Sequence, residues 1–278
     1  MDKNFFFVNT YDCPDIKGDL DKMFCLLKEE NIKGLQIPYD NLVALDKEDF
    51  KRRLDEGGIK LLCTHIVARL LSKDENVFEK AVSGCKRALE YIKYFDCKYF
   101  MIVPFTPSDV EGFEDRERAM QSFIKGLRLI TEEAKKYDIK VAIENISQLI
   151  LPFSKVEDLE YILNNVEDLG FCFDTGNFLC TGVDDTTEAF ERLKDKIEMV
   201  HIKELEVCGE DGLRCDSGRF VRHTDFGKGE TKLTYILSKL CEHNKDVPYI
   251  IEVQDSAPEK SWIKQASRYF DEFFGENK

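Results

Sequence analysis

Eight short apolar runs punctuate the chain, separated by longer stretches whose apolar residues recur every three to four positions. The runs cover 4–9 (NFFFVN), 33–38 (KGLQIP), 59–65 (IKLLCTH), 98–103 (KYFMIV), 139–144 (IKVAIE), 169–174 (LGFCFD), 197–203 (IEMVHIK) and 248–253 (VPYIIE). Continuous apolar runs of this length read as strands buried on both faces. The stretches 20–30, 47–56, 77–95, 116–137, 155–165, 185–194, 231–243 and 259–275 read as amphipathic helices. In the first, Leu20, Met23, Phe24 and Leu27 trace one buried face. Asp46 precedes the second, and Glu48 and Asp49 occupy its first turn, where carboxylates suit the positive end of the helix dipole. Strand followed by helix, eight times over, predicts parallel strands with crossover helices. Eight such units close into a (β/α)8 TIM barrel, of the α/β class. The segment NTYDCPD after the first run lacks the glycines of a dinucleotide turn, which disfavours a doubly wound sheet. No Pro/Gly/Ser-rich linker interrupts the pattern, so residues 1–278 are expected to form a single domain. The longest stretch without a helical or strand period is 204–230, expected to be a functional loop after the seventh strand.

Composition narrows the partners. A net charge of -14 repels the phosphates of nucleic acid and anionic membrane surfaces, so neither is expected to bind. No apolar run approaches the ~18 residues of a membrane span, and MDKNFFFVNTYD lacks the apolar centre of a signal peptide. The ten cysteines form no CxxC pair, and Cys63, Cys97 and Cys172 lie inside apolar runs as small hydrophobes. Free thiols and a cytoplasmic location follow as expectations. Cys208 and Cys215 share a polar stretch without further ligands at metal spacing. Gly227-Lys228-Gly229-Glu230 reads as a helix-entry turn in preference to a phosphate cradle.

The informative polar residues stand at the ends of four runs. Glu144 follows KVAI, Asp174 follows LGFCF, His201 follows IEMV and Glu252 follows VPYII. The strand ends of a parallel barrel converge on its C-terminal face, where active sites are built. Three carboxylates and one imidazole suit one divalent ion: manganese first, with magnesium, cobalt or zinc as alternatives. An ion so placed polarises a carbonyl and stabilises an enediolate, and the adjacent proton transfer needs a carboxylate or histidine base. Lys203, two residues after His201, points to the same face. It is a candidate substrate donor, weighed evenly against a salt bridge to a ligand carboxylate. His65, Asn177, Arg222 and His223 are further candidate substrate contacts, the last two from the 204–230 stretch. Among aromatics, Phe7 and Phe105 are the candidate pocket walls.

The motifs IENIS, FDTGN, HIKE and IEVQD around those four residues, with THIVARL after the third strand and FGKGE before helix 231–243, resemble the xylose isomerase-like barrel superfamily. That superfamily spans sugar epimerases and isomerases, related dehydratases and endonuclease IV. The resemblance covers nearly the whole chain. It implies that Glu144, Asp174, His201 and Glu252 hold one divalent metal, and that Glu144 and Glu252 serve as the acid/base pair across a substrate carbon. It implies a small sugar or sugar-derived substrate and association into homo-oligomers. Endonuclease IV relatives carry extra histidines where this chain has Pro104 and Asn177, and His223-Thr-Asp225 stands in place of Asp-x-His. Dehydratase relatives carry a histidine where this chain has Ile146, and Gln36 replaces a glutamate common in the superfamily. The expected activity is therefore a metal-dependent sugar isomerase or epimerase. The alternatives are a dehydratase (lyase) on a keto sugar or polyol-derived substrate and a non-catalytic sugar-binding subunit.

Overall fold

In the computed structural model, residues 6–9, 19–104, 116–149, 154–243, 246–253 and 261–276 are described. Phe5, Phe105 and Phe153 lie outside them, as do the first residues of the expected strand 4–9 and of the expected helix 259–275. Eight parallel strands close into a barrel: β1 (Phe6–Asn9), β2 (Gly34–Pro38), β3 (Lys60–Ala68), β4 (Tyr99–Pro104), β5 (Lys140–Glu144), β6 (Gly170–Asp174), β7 (Ile197–Ile202) and, after three strands of a separate sheet, β11 (Tyr249–Ile251). All eight overlap the apolar runs, and β4 ends one residue past its run. Strand β3 runs three residues beyond the expected end, so His65 lies within the strand.

The helices are α1 (Leu20–Glu29), α2 (Tyr39–Val43), α3 (Lys47–Gly57), α4 (Glu75–Ile92), α5 (Arg116–Lys135), α6 (Val156–Asn165), α7 (Asn177–Thr181), α8 (Thr186–Leu193), α9 (Leu233–Glu242) and α10 (Trp262–Glu276). Their starts are chemically marked. Asp19, Asp46, Asp74 and Asp185 each cap a helix by accepting backbone N–H bonds in its first turn. Helices α2 and α7 have five residues each, too short to show a period, and were not expected.

Two cores result. The larger packs the outward faces of the strands against the helices, and Phe173 of β6 is typical. Its ring lies 6.0 Å from Phe171, 5.9 Å from Phe178 and 5.6 Å from Phe190, centroid to centroid. The smaller fills the barrel interior with Phe7, Cys63, Met101, Ala142, Cys172, Met199 and Ile250, one residue from each of seven strands. Gly34 supplies β2: a Cβ there would lie 2.9 Å from the Phe7 ring, so only glycine fits.

The stretch 204–230 is not an irregular loop. It carries β8 (Leu205–Cys208), β9 (Leu213–Arg214) and β10 (Phe220–His223), paired antiparallel in the order β8-β10-β9. Its feet are tied together by Glu204, whose buried carboxylate accepts from the Thr231 hydroxyl and from Gly227 N at 2.8 Å. The first N–H of the glycine-rich segment is thus taken up by the protein itself, and α9 begins at Leu233, three residues after Glu230. The cysteines that are described carry no disulfide, and no described helix is long and apolar enough to cross a membrane.

Phe173→Ala removes a ring buried among three others. It is expected to lower unfolding free energy by about 3–5 kcal/mol, read as a shift of the urea midpoint at unchanged slope.

Candidate metal centre

Side chains two apart on a strand share a face. Two residues beyond the apolar interior layer, a second inward layer therefore forms from Asn9, Gln36, His65, Val103, Glu144, Asp174, His201 and Glu252. Seven of these eight are polar. The sequence places them where β strands give way to loops, and the barrel turns them toward its axis. A β-bulge refines the register. Phe171 pairs with Ile197, but Cys172 pairs with Met199, so His201 instead of Val200 stands opposite Asp174.

Glu144, Asp174, His201 and Glu252 each bring a donor atom within 4.8 Å of the other three, and all four residues are buried. His201 Nδ1 lies 2.8 Å from Glu144 Oε1 and 2.5 Å from Glu252 Oε2. The Lys203 ammonium lies 2.9 Å from Glu252 Oε1 and 3.0 Å from Asp174 Oδ2. Asp174 is aimed by its backbone surroundings. Its Oδ1 accepts from Gly176 N and Asn177 N, both at 2.8 Å, which leaves Oδ2 without a hydrogen bond and facing Lys203. Asn145 staples β5 to β6, donating to Asp174 O at 2.9 Å and accepting from Asp174 N at 2.8 Å. The Thr175 hydroxyl donates to Lys203 O at 2.8 Å and accepts from Lys203 N at 2.9 Å, which holds β7 in line.

The charges explain the proton affinities. Burial pushes Asp174 up to about 7, against the pull of Lys203. Burial also opposes ionisation of Glu252, but Lys203 and His201 outweigh it and hold that carboxyl well below its ordinary range. Burial works against a charged His201, yet Cys172, Glu144 and Glu252 together raise it well above its usual value. Lys203 is raised likewise by Asp174 and Glu252 against its own burial. Three carboxylates facing an imidazolium and one ammonium leave one negative charge unbalanced. Exchanging the Nδ1 proton for a divalent ion makes the group neutral, and it adds a second cation beside Lys203 for Asp174 Oδ2. The donor set of hard oxygens and one imidazole therefore fits a divalent cation.

The other candidates separate into two groups. Lys203 and Asn177 join the cluster: the Asn177 Oδ1 accepts from Lys203 Nζ at 3.1 Å, and its amide donates to Asn145 O at 2.8 Å. His65 enters through Gln36, whose Nε2 lies 3.1 Å from His65 Nδ1 and whose Oε1 lies 3.1 Å from His201 Nε2. Burial lowers His65 to about 4, so its ring is neutral. Arg222 is exposed on β10 and is engaged by Glu206 at 2.7 Å and Asp211 at 3.3 Å. The His223 ring packs 5.9 Å from that of Trp262. Phe7 lies in the apolar layer beneath the cluster, away from the wall position expected for it. Glu204 and Gln36 are the residues whose roles sequence reasoning does not reach. The only signal for Glu204 is its place in the HIKE motif.

The sequence profile of the xylose isomerase-like TIM barrel matches residues 25–273. Among curated relatives, GTPase Obg of Clostridium botulinum (strain Alaska E43 / Type E3) is 25% identical over 170 residues, 58% of this chain. The chain spans only 36% of that relative's length. The probable endonuclease 4 of Mycoplasma capricolum subsp. capricolum is 24% identical over 228 residues, 73% of this chain and 74% of that protein. Among solved structures, the IOLI protein with a binding zinc atom superposes with a TM-score of 0.76 at 21% identity, covering 98% of each chain. D-psicose 3-epimerase from Clostridium cellulolyticum H10, solved with D-tagatose, gives 0.76 at 12% identity, covering 97% of this chain and 98% of that one. The probable 3-DHS dehydratase AsbF of Bacillus anthracis gives 0.74 at 14% identity, covering 95% and 98%. At these identities the likeness is one of fold.

Two outcomes follow from the charge balance. Lys203→Met strands two buried carboxylates and is expected to cost the metal-free protein about 3–5 kcal/mol. Adding Asp174→Asn should restore part of that loss in a double-mutant cycle read by urea unfolding. Divalent ions must displace protons from His201 and Asp174, so manganese affinity should rise from about pH 6 to 8 with measurable proton release. Calorimetry in two buffers of different ionisation heat checks this; an affinity flat across that range would refute it.

Proposed function

The chain belongs to the xylose isomerase-like TIM barrel family, and from that premise we propose that it is a divalent-metal-dependent isomerase or epimerase of a sugar or sugar derivative. The observation that carries the reading is the approach of Glu144 and Glu252 to one nitrogen, at 2.8 and 2.5 Å. Two carboxylates that close on a common point from β5 and β11 can flank one substrate carbon. One then takes a proton from that carbon while the other returns it, on the same face or the opposite one.

The four donors would hold the ion: Glu144, Asp174, His201 and Glu252. When bound, a divalent ion polarises the substrate carbonyl and stabilises the negative charge of the enediolate. We take manganese as the working ion, because oxygen-rich donors with one imidazole suit it. Glu252, held ionised by Lys203 and His201, enters as the carboxylate that accepts the proton. Lys203 donates toward developing charge on a substrate oxygen, from a position fixed by Thr175. Asn177 orients the ammonium, and His65 contacts a hydroxyl or carbonyl.

The same proton abstraction serves a lyase when a β-hydroxyl leaves, and the fold neighbour described as a probable dehydratase supports keeping that branch. The endonuclease 4 relatives raise cleavage of nucleic acid as a further reading. Against it stand the net charge of -14 and Asn177, whose amide is already committed to Asn145 and Lys203. Free thiols support a reducing cytoplasm.

Manganese-loaded protein incubated in deuterium oxide with a panel of keto sugars and sugar acids should exchange one substrate C–H without new ultraviolet absorbance. Growth of enone absorbance selects the lyase branch, and cleavage of a nucleic-acid duplex selects the endonuclease. Binding of sugar without exchange, elimination or cleavage would point to a non-catalytic subunit and overturn the proposal. Glu252→Gln should slow exchange by about 10²–10⁴-fold.

A further inference from the structure

An amide stands between the two histidines. Gln36, fully buried on β2, reaches across the barrel interior to His201 of β7 and sideways to His65 of the adjacent β3. We propose that Gln36 is a positioning residue that locks both imidazoles with the proton on Nε2, leaving His201 Nδ1 bare for the metal and turning His65 into a neutral donor to a substrate oxygen. The inference rests on the metal-site reading above and adds the role of His65 to it.

Each step leaves one option. His201 Nδ1 is the nitrogen that faces Glu144 and Glu252, so it is the one that joins the donor set. A metal there occupies the Nδ1 lone pair, and the remaining ring proton must sit on Nε2. That N–H needs an acceptor. In a glutamine side chain only Oε1 accepts, so the amide oxygen must face His201 and the NH2 must face His65. This is the arrangement found, with 3.1 Å on each side. The NH2 can only donate, so His65 Nδ1 must be a bare acceptor. A neutral His65 then carries its proton on Nε2.

The identity of residue 36 decides the outcome. A glutamate would accept at both ends. The His201 contact would survive, but His65 would have to move its proton to Nδ1 to donate. Its Nε2 would then present a lone pair, a base in place of a donor. His65 Nε2 has no hydrogen-bond partner among the described residues, and the ring is only half-buried. A substrate hydroxyl or carbonyl oxygen, each an acceptor, complements an N–H there. The backbone of Gln36 pairs with Asn9 of β1 and, just past a register shift between Leu35 and Gln36, with Cys63 of β3.

The test is the ring-nitrogen spectrum of protein labelled with ¹⁵N-histidine and loaded with ¹¹³Cd²⁺. The chain has four histidines, so assignment by single replacement is direct. One imidazole, assigned to His201, should show cadmium coupling at Nδ1 and a proton on Nε2. His65 should show an unprotonated Nδ1 and a protonated Nε2. In Gln36→Glu the His65 proton should move to Nδ1 while the cadmium coupling at His201 persists, and kcat/KM for deuterium exchange should fall about 10–100-fold. A His65 proton on Nδ1 in the unmodified protein overturns the proposal without any variant. So does a His65 spectrum that Gln36→Glu leaves unchanged. Loss of cadmium coupling at His201 in the unmodified protein would instead overturn the metal-site reading, and the two failures are therefore distinguishable.

Discussion

Three buried carboxylates within a few ångströms of one another repel, and this repulsion organises the upper half of the barrel. They cannot all be ionised in a dry interior without cations to match. The chain supplies two cations from one strand, His201 and Lys203, spaced so that both point inward. It supplies two backbone N–H groups to the outer oxygen of Asp174. The remainder appears as the raised proton affinity of Asp174. A divalent ion completes the balance, so the site is shaped by a charge deficit as much as by donor geometry. Lys203 matters here because it neutralises the third carboxylate and leaves the assembled centre without net charge.

That balance is affordable only where the donors need little reorganisation, and the barrel provides this through repetition. On β3, β5, β6, β7 and β11 an apolar residue is followed one inward position later by a site residue. The lower layer of Phe7, Cys63, Met101, Ala142, Cys172, Met199 and Ile250 is a dry floor. It keeps water from the underside of the charged group and raises the effective strength of every interaction above it. The β6–β7 bulge shows how finely the layer is set, since one extra residue brings an imidazole opposite a carboxylate where a valine would otherwise stand.

The barrel is legible in the sequence because strands covered on both faces must be apolar throughout, and each run ends where polarity returns. The four donors are legible for the same reason, as polar residues at equivalent ends of successive runs. Strands β8 to β10 are not legible. Residues such as Val207 and Leu213 are exposed, and two to four residues per strand give no period to read. Gln36 shows the other limit. Its residue type is visible, but its partner His201 is 165 positions away, and only closure of the barrel makes the contact. The ion pairs of Lys203 lie beyond sequence for a related reason. Spacing gives the face, and the distances to Asp174 and Glu252 give the pairing.

The clip at Glu204 separates two tasks. The segment that leaves β7 just after Lys203 and returns at α9 is closed at its feet by Glu204, Gly227 and Thr231, and by Glu230 N donating to Leu205 O at 2.8 Å. Changes in the β8–β10 sheet are therefore absorbed above the clip, while Lys203 below it stays fixed to Thr175. A barrel built this way can vary the sheet without moving the charges of the metal centre. The fold neighbours, described variously as epimerases and a dehydratase at 12–17% identity, share the barrel but carry different activities. In this chain, the elements free to set such a difference are the clipped sheet and the residues of the first strands, Gln36 and His65 among them. The carboxylates are not free to do so, because moving any one of them unbalances the other two.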